Sequence, residues 1–418
     1  FAMLFLPRRY AIWPMILMAC FVAPAQRVVV FSLNFTLLRL LVVFGWLRVL
    51  TRNEVTAFEW KTLDHVMIAY SGTRMFAFTV LWGTADALKN QLGVAFDTLG
   101  MYFLFRCLIR EWDDITQTVR AFILVSIPVC LAFLAERASG KNAFAFFGGV
   151  PEVTMVRAGR LRCQGAFAHP ILAGCFWAAL MPLIAARWWT AARERLWAIV
   201  GLGTCGVIVI CCASGTPVMA VMSGLTAGGF FVLRHHMRLV RWGIVLTLIS
   251  LHLVMKAPVW HLVSRVDVVA GNTGYHRYML IDQAIRRVGE WWLLGTTSTA
   301  HWFWGAQDVT NQYVLEGAHG GLLTLALFIA AIVLAFRGVG WLWRAAGEHA
   351  GRAAMAWALG VSLFVHCMNF LGVSYFGQIS FVWYLLLAMI GSVSPLAGPV
   401  SAAAPQRSRR CRPAFSRL

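Results

Sequence analysis

The chain has 418 residues, of which 60% are hydrophobic and only 13% charged, with a mean hydropathy of +0.71. A soluble domain carries about 25% charged residues, so there is too little polar side chain here to coat a water-soluble globule, and lipid must be the solvent for most of the outside. The formal net charge of +19, from 36 Lys and Arg against 17 Asp and Glu, would suggest nucleic acid in a soluble protein. No zinc-ligand spacing, helix-turn-helix pattern or soluble basic domain accompanies it, and the basic residues fall between apolar runs, where they set topology or meet anionic lipid.

In chain order, the apolar runs predict about twelve transmembrane helices, near 11–26, 28–50, 63–83, 91–109, 119–135, 166–186, 195–213, 216–233, 239–255, 318–337, 353–372 and 375–393. The fold class is therefore all-α, a polytopic membrane protein with a large loop before the last three spans. Pro14 and Pro24 bracket the first run, the weakest, which can form a tight hairpin with the second. A single transmembrane domain is expected over 1–397 and a basic tail over 398–418. The chain begins at Phe1 rather than Met, which predicts further residues ahead of it. Of ten cysteines, eight lie inside apolar runs and read as buried, inert thiols. Cys163 and Cys411 fall outside the spans and read as unpaired.

Topology follows from the short loops. With the N-terminus inside, cytoplasmic segments hold Arg8, Arg9, Arg48, Arg52, Lys61, Arg106, Arg110, Arg187, Arg193, Arg234, Arg241 and their neighbours. Together with the tail arginines Arg407, Arg409, Arg410, Arg412 and Arg417 these make about 22 of the 36 cations, a positive-inside bias. Both termini are then cytoplasmic, and two longer segments, 136–165 and 256–317, lie outside. They carry cations of their own, among them Arg157, Arg160, Arg162, Arg277, Arg286 and Arg287, an arrangement that suits a lipid-linked phosphate.

Three stretches carry chemistry. The first runs from Arg160 and Arg162 through Gly165 to His169 and Pro170 at a helix start. Pro fits that position, a helix N-terminus offers free N–H groups to an anion, and arginines add bidentate contacts; interfacial anchoring is the plainer reading of the arginines, and capping the plainer reading of His169. The second, from Gly274 through His276, Arg277 and Asp282 to Arg287, has Met279, Leu280, Ile285 and Val288 spaced for an amphipathic helix on the outer interface. The third crowds Asp308, Thr310, Asn311, Gln312, Glu316 and His319 at the mouth of one apolar span, where polar groups must face protein, water or a ligand. Asn34, Arg39, Arg74 and Asp97 lie within spans and need partners, most simply in interhelical structural pairs. Ser214-Gly215-Thr216-Pro217 reads as a turn between two spans.

In this order, the three stretches resemble the O-antigen ligase and O-antigen polymerase superfamily of bacterial inner membranes, over most of the chain. The ligase signature is His followed by Asn, Ser or Gln, then nine residues, Gly, two residues, and Gly, Thr or Tyr; Asn311, Gly321 and Thr324 keep that spacing. The Arg-x-x-Gly-x-Phe-x-His-Pro pattern at 162–170 and an Arg early in the large loop, Arg277, also look like the family. The resemblance implies a multi-pass inner-membrane glycosyltransferase of cell-surface polysaccharide or lipopolysaccharide biosynthesis. Such an enzyme moves glycan from undecaprenyl pyrophosphate to an acceptor glycan or lipid A-core on the periplasmic side, without metal or cofactor. Arg277, Arg162 and Arg160 would hold the pyrophosphate. Arg277, Asp308, Asn311 and His319 would be catalytic, and His169, Gln312 and Glu316 would contact acceptor or glycan.

Two departures stand out. Thr310 occupies the signature His position, and a neutral hydroxyl is no general base near pH 7; Asp308 or His319 would have to replace it. Ser214-Gly215-Thr216 stands where relatives often carry Ser-Arg. Rival readings are a polytopic transporter, although no inverted repeat is visible, and an inactive member that scaffolds other polysaccharide-assembly membrane proteins. No nucleic-acid partner is expected.

Overall fold

In the computed structural model, residues 2–30, 33–265 and 273–393 are described. The tail at 398–418, with its five arginines and Cys411, lies outside the described residues, as does part of the long segment, 266–272.

Helices of eight residues or more are α1 (Trp13–Phe21), α2 (Leu37–Thr51), α3 (Thr62–Trp82), α4 (Ala85–Ala95), α5 (Met101–Leu108), α6 (Trp112–Ser139), α7 (Pro170–Ala185), α8 (Ala192–Cys211), α9 (Gly215–Gly229), α10 (Met237–Val254), α11 (Thr273–Arg286), α12 (Gln312–Ala346), α13 (Ala350–Phe370) and α14 (Gln378–Val393). Local chemistry sets their starts. The Thr36 and Thr84 hydroxyls accept the Arg39 and Ala87 amides at the heads of α2 and α4, Glu111 and Asp114 form a reciprocal cap on α6, and Pro170 opens α7. A π-helical segment, Phe96–Gly100, joins α4 to α5. The only sheets among the described residues are two antiparallel hairpins, β1 (Arg27–Val30) with β2 (Leu33–Thr36) and β3 (Met155–Arg157) with β4 (Arg160–Arg162).

Six helical runs are long and apolar enough to cross a membrane: α6, Pro170–Trp189, α8, Gly215–Val254, α12 and α13; α14 is apolar but shorter. Two expected spans take a different form. The 11–26 stretch contains only the nine-residue α1, about 14 Å long against a hydrocarbon layer of about 30 Å. The 28–50 stretch spends its first residues on the β1–β2 hairpin before α2 begins. Side-chain burial supports lipid as the surrounding solvent. Trp177, Phe122, Phe176 and Phe381 fill the interior, while Leu131, Ile210, Leu225 and Leu323 project outward, each at least 60% exposed. No residue of α10 is buried at all. The protein is helical and membrane-embedded.

The helices alternate in direction, so the connecting segments gather at two ends. One end, called the mouth here, holds 22–30, 33–36, 83–84, 140–169, 212–214, 255–265, 287–311 and 371–377. Hydrogen bonds join these pieces: Gln378 Nε2 donates to the Val22 and Ala166 carbonyls (3.3 and 2.8 Å) and Gln26 Nε2 to Gly148 (3.2 Å). At the opposite end, Arg48 Nη1 donates to the Met3 carbonyl (2.8 Å) and Arg8 Nη1 to Leu108 (2.7 Å).

Two details position the site. Helix α12, which packs along α3 and α13, is broken at Gly321 (φ 74°, ψ −175°). There the chain of 292–296 enters the break: the Leu322 amide donates to the Trp292 carbonyl (2.8 Å) and the Thr296 amide to the Ala318 carbonyl (2.7 Å). The freed backbone groups of the kink are thus satisfied, and a Cβ on Gly321 would lie 2.3 Å from the Leu293 carbonyl oxygen. The second detail is α11. It forms as expected, but its buried face carries Arg277, Leu280 and Ala284, while Ile285 and Val288 point outward. Of the apolar residues Met279, Leu280, Ile285 and Val288, Leu280 is buried against the protein beside Arg277, and Ile285 and Val288 are exposed.

Candidate functional site at the mouth

The polar residues of the mouth separate into two groups. The first is built on the N-terminus of α9. Ser214 is its N-cap residue, yet the serine side chain caps no amide. Instead its Oγ accepts from Arg162 Nη2 (3.4 Å), and Thr216 Oγ1, in the same turn, accepts from Arg277 Nη2 (2.7 Å). Both arginines are buried, at 4% and 7% exposure. They arrive from opposite directions, Arg162 at the end of β4 and Arg277 on the inward face of α11. Gly372 makes room between them and α13: a Cβ there would lie 3.2 Å from Arg277 Nε and 2.9 Å from Thr216 Cγ2.

Arg162 forms no ion pair with a carboxylate among the described residues. Its other contact is with Met155 Sδ (3.8 Å), and its Nε is buried with no hydrogen-bond partner. Burial and the nearby Arg157 push its pKa down from the ordinary guanidinium value. Such a cation is costly to bury without an anion. A hydroxyl that accepts from an arginine still has its own hydrogen to donate. Arginine, serine, threonine and a helix N-terminus are the groups from which an anion site can be built.

His169 borders this group. Its Nδ1 accepts the Ile171 amide (3.2 Å) as the N-cap of α7, which leaves Nε2 carrying the hydrogen in the neutral ring. Burial, then the charge of Arg162, lowers its pKa to about 4, with Asp308 acting in the opposite direction. His169 thus caps α7. Asp308 is exposed on the rim, where its backbone carbonyl lies 3.3 Å from His276 Nε2. Arg160 is exposed on the β3–β4 hairpin, two residues before Arg162.

The second group lines a cavity of about 490 Å³ between α2, α3, α4, the head of α12 and α14. Its charges are paired. Arg39 meets Asp97 through two contacts (2.7 and 2.6 Å), and Arg74 Nη1 meets both Glu316 oxygens (2.9 and 3.0 Å). Gln312 Nε2 donates to Glu316 (2.6 Å) while its Oε1 accepts the Tyr375 amide (2.6 Å). His319 packs edge-on against Phe78, its Nδ1 3.4 Å from Arg74 Nη2. Tyr70, Phe328, Phe370, Trp383 and Tyr384 supply aromatic walls. The interhelical pairing expected of Arg39, Arg74 and Asp97 is what the structure contains.

Asn311 stands between the groups and caps α12, its Oδ1 accepting the Val314 amide (3.1 Å) and its Nδ2 reaching the Leu371 carbonyl (3.4 Å). The residues named from sequence thus divide: Arg162, His169, Arg277 and Asp308 lie around the α9 head, and Gln312, Glu316 and His319 lie in the paired cavity. Thr310 is half-buried just before the cap. Ser214 and Thr216 were read as a mere turn; the signal that could have marked them was two hydroxyls flanking a glycine at the head of an apolar helix, with no acidic residue nearby in sequence. Comparison with protein-family models and with curated proteins finds no match, so these residues and their geometry alone carry the functional reading.

Proposed function

We propose that the chain is a glycosyltransferase of the O-antigen ligase or polymerase kind, acting on undecaprenyl-pyrophosphate-linked glycan at the periplasmic face of a bacterial inner membrane. The observation that carries this reading is the buried, carboxylate-free Arg162 converging with Arg277 on the head of α9. A pyrophosphate leaving group gathers negative charge as the glycosidic bond breaks, and preorganised donors stabilise it. The Ser214 and Thr216 hydroxyls and the α9 amides add to the same surface. Asp308, on the rim beside His169, takes the proton of the acceptor hydroxyl in place of the residue missing at Thr310. His319 is less suited, because it stands beside the Arg74–Glu316 pair in the other cavity.

Sidedness rests on charge. The end opposite the mouth carries Arg8, Arg9, Arg48, Arg52, Lys61, Arg110, Arg187, Arg193, Arg234 and Arg344, so that end is cytoplasmic by the positive-inside rule. In this reading the chain crosses about twelve times, with α1 and α2 as a shortened pair and α3, α4–α5 and α14 completing the set.

The test has two readouts. Protein purified from its native membrane is examined by mass spectrometry for polyprenyl pyrophosphate, and a deletion strain complemented with Arg162→Ala or Arg277→Ala is assayed for surface-polysaccharide attachment and chain length. Retained lipid in the parent and lost transfer in both variants are expected. Full transfer by correctly inserted variants would sink the proposal, and lipid binding without any turnover by the parent would favour a scaffolding member of the family.

A further inference from the structure

Cys163 and Cys211 stand against each other at the mouth. Cys163 follows Arg162 directly after β4, and its amide donates to the Cys211 carbonyl in the last turn of α8 (3.0 Å). In the structure both are free thiols. In an antiparallel ladder, residues that exchange backbone bonds have Cα atoms about 5.5 Å apart; a single bond such as this one brings two backbones to a comparable separation, and a disulfide spans about 4.4–6.8 Å. Both are buried, at 0% and 2% exposure. Sequence separation hid the pairing, since Cys163 reads as unpaired and Cys211 as one more thiol in an apolar run.

The geometry points to Cys163 and Cys211 as the two halves of a structural disulfide. The inference rests on the reading that the mouth faces the periplasm, where disulfides form and persist. Each thiol gives up its proton, and the pair loses two electrons as the Sγ–Sγ bond forms. The acceptor is the disulfide of a thiol–disulfide oxidant, which is reduced to two thiols through a mixed-disulfide intermediate. Because both sulfurs end up buried, oxidation precedes final closure of the bundle, and the finished bond is shielded from reductant. The bond fastens β4 to the end of α8 one position from Arg162, and so holds that arginine against Ser214. It is a covalent support for the anion surface at the point where no carboxylate supplies one.

The test uses the full chain expressed in bacterial cells, quenched in acid and blocked with N-ethylmaleimide under denaturing conditions before any reductant is added. Trypsin cleaves after Arg162 and between Arg187 and Leu196, which leaves Cys163 and Cys211 on separate peptides. The linked peptides are expected in the parent and in C212S, and not in C163S or C211S. Both thiols carrying maleimide in the parent, or a link through Cys212, overturns the inference. A parallel Phe146→Cys variant, at a position 90% exposed on the mouth, is treated in intact spheroplasts with a membrane-impermeant maleimide. Labelling at 146 together with blocked Cys163 and Cys211 sinks the disulfide alone. Protection at 146 sinks the assignment of sides on which it rests, and glycan transfer is scored separately from both.

Discussion

The end away from the mouth and the head of α9 use buried arginines for opposite purposes. At the end away from the mouth, buried arginines meet carboxylates: Arg106 holds Asp64 through two contacts (3.0 and 2.9 Å), Arg48 holds Glu54 (3.1 and 3.0 Å), and Arg187 pairs with Glu194 (2.7 Å). Their charge is spent within the protein, on fixing one helix end against another. At the mouth, Arg162 is as deeply buried but meets a hydroxyl and a thioether. Burial alone therefore does not mark a functional arginine; the chemistry of what faces it does. A buried pair whose partners satisfy each other resists disruption because removing one member strands the other, whereas a buried cation facing neutral acceptors remains open to an anion from outside.

Substitutions at the two ends break that comparison if it is wrong. The largest expected effect is structural. Arg106→Ala leaves the Asp64 carboxylate, which also accepts from Tyr102 (2.6 Å), buried without its cation, and should cost about 3–5 kcal/mol. Thermal melting in detergent and yield of inserted protein measure it, and transfer per folded molecule should stay near the parental value. Arg162→Ala should do the reverse. Glycan transfer falls about 100-fold or more, while stability changes by about 1 kcal/mol or less, because no carboxylate is orphaned. A melting loss as large as that of Arg106→Ala would place Arg162 among the structural arginines.

Gly321→Ala probes the joint between the long segment and α12. The left-handed backbone and the 2.3 Å approach to the Leu293 carbonyl predict a loss of about 1–3 kcal/mol, read from the melting midpoint, with exposure of 292–296 to protease; an unchanged melt would show that the kink relaxes freely. The smallest effect concerns His169. Its folded pKa of about 4 lies below the ordinary 6.5, so protonation favours the unfolded chain. The contribution of the neutral ring is fully present above about pH 6.5 and is lost as pH falls toward about 4, by at most about 2 kcal/mol between pH 7 and 5. His169→Asn keeps a capping side chain and should flatten that slope in melts taken across the range. A parallel slope in parent and variant would remove His169 as its source.

Much of the architecture was legible because lipid imposes a simple rule. Runs such as 119–135 and 353–372 had to be helices, since no other open structure satisfies its backbone in hydrocarbon, and both appear within α6 and α13. The rule weakens where a run is short or interrupted, which is why 28–50 divides into a hairpin and a helix. Local motifs were legible too. Pro170 after His169 marked a helix start, whereas Gly321 was legible only as part of a spacing, which could not show that α12 breaks there or that residues 292–296 enter the kink.

What the sequence by itself determined is the membrane solvent, the helical class and the grouping of basic residues between apolar runs, because these follow from composition and from a periodicity read a few residues at a time. Only the tertiary structure decided which charges cancel. Arg74 and Glu316 are 242 residues apart, and Arg277 and Thr216 are 61 apart. No local pattern relates such residues; helix packing brings them together. Packing turned one set of in-span charges into neutral pairs and left Arg162, beside Ser214, facing no carboxylate among the described residues.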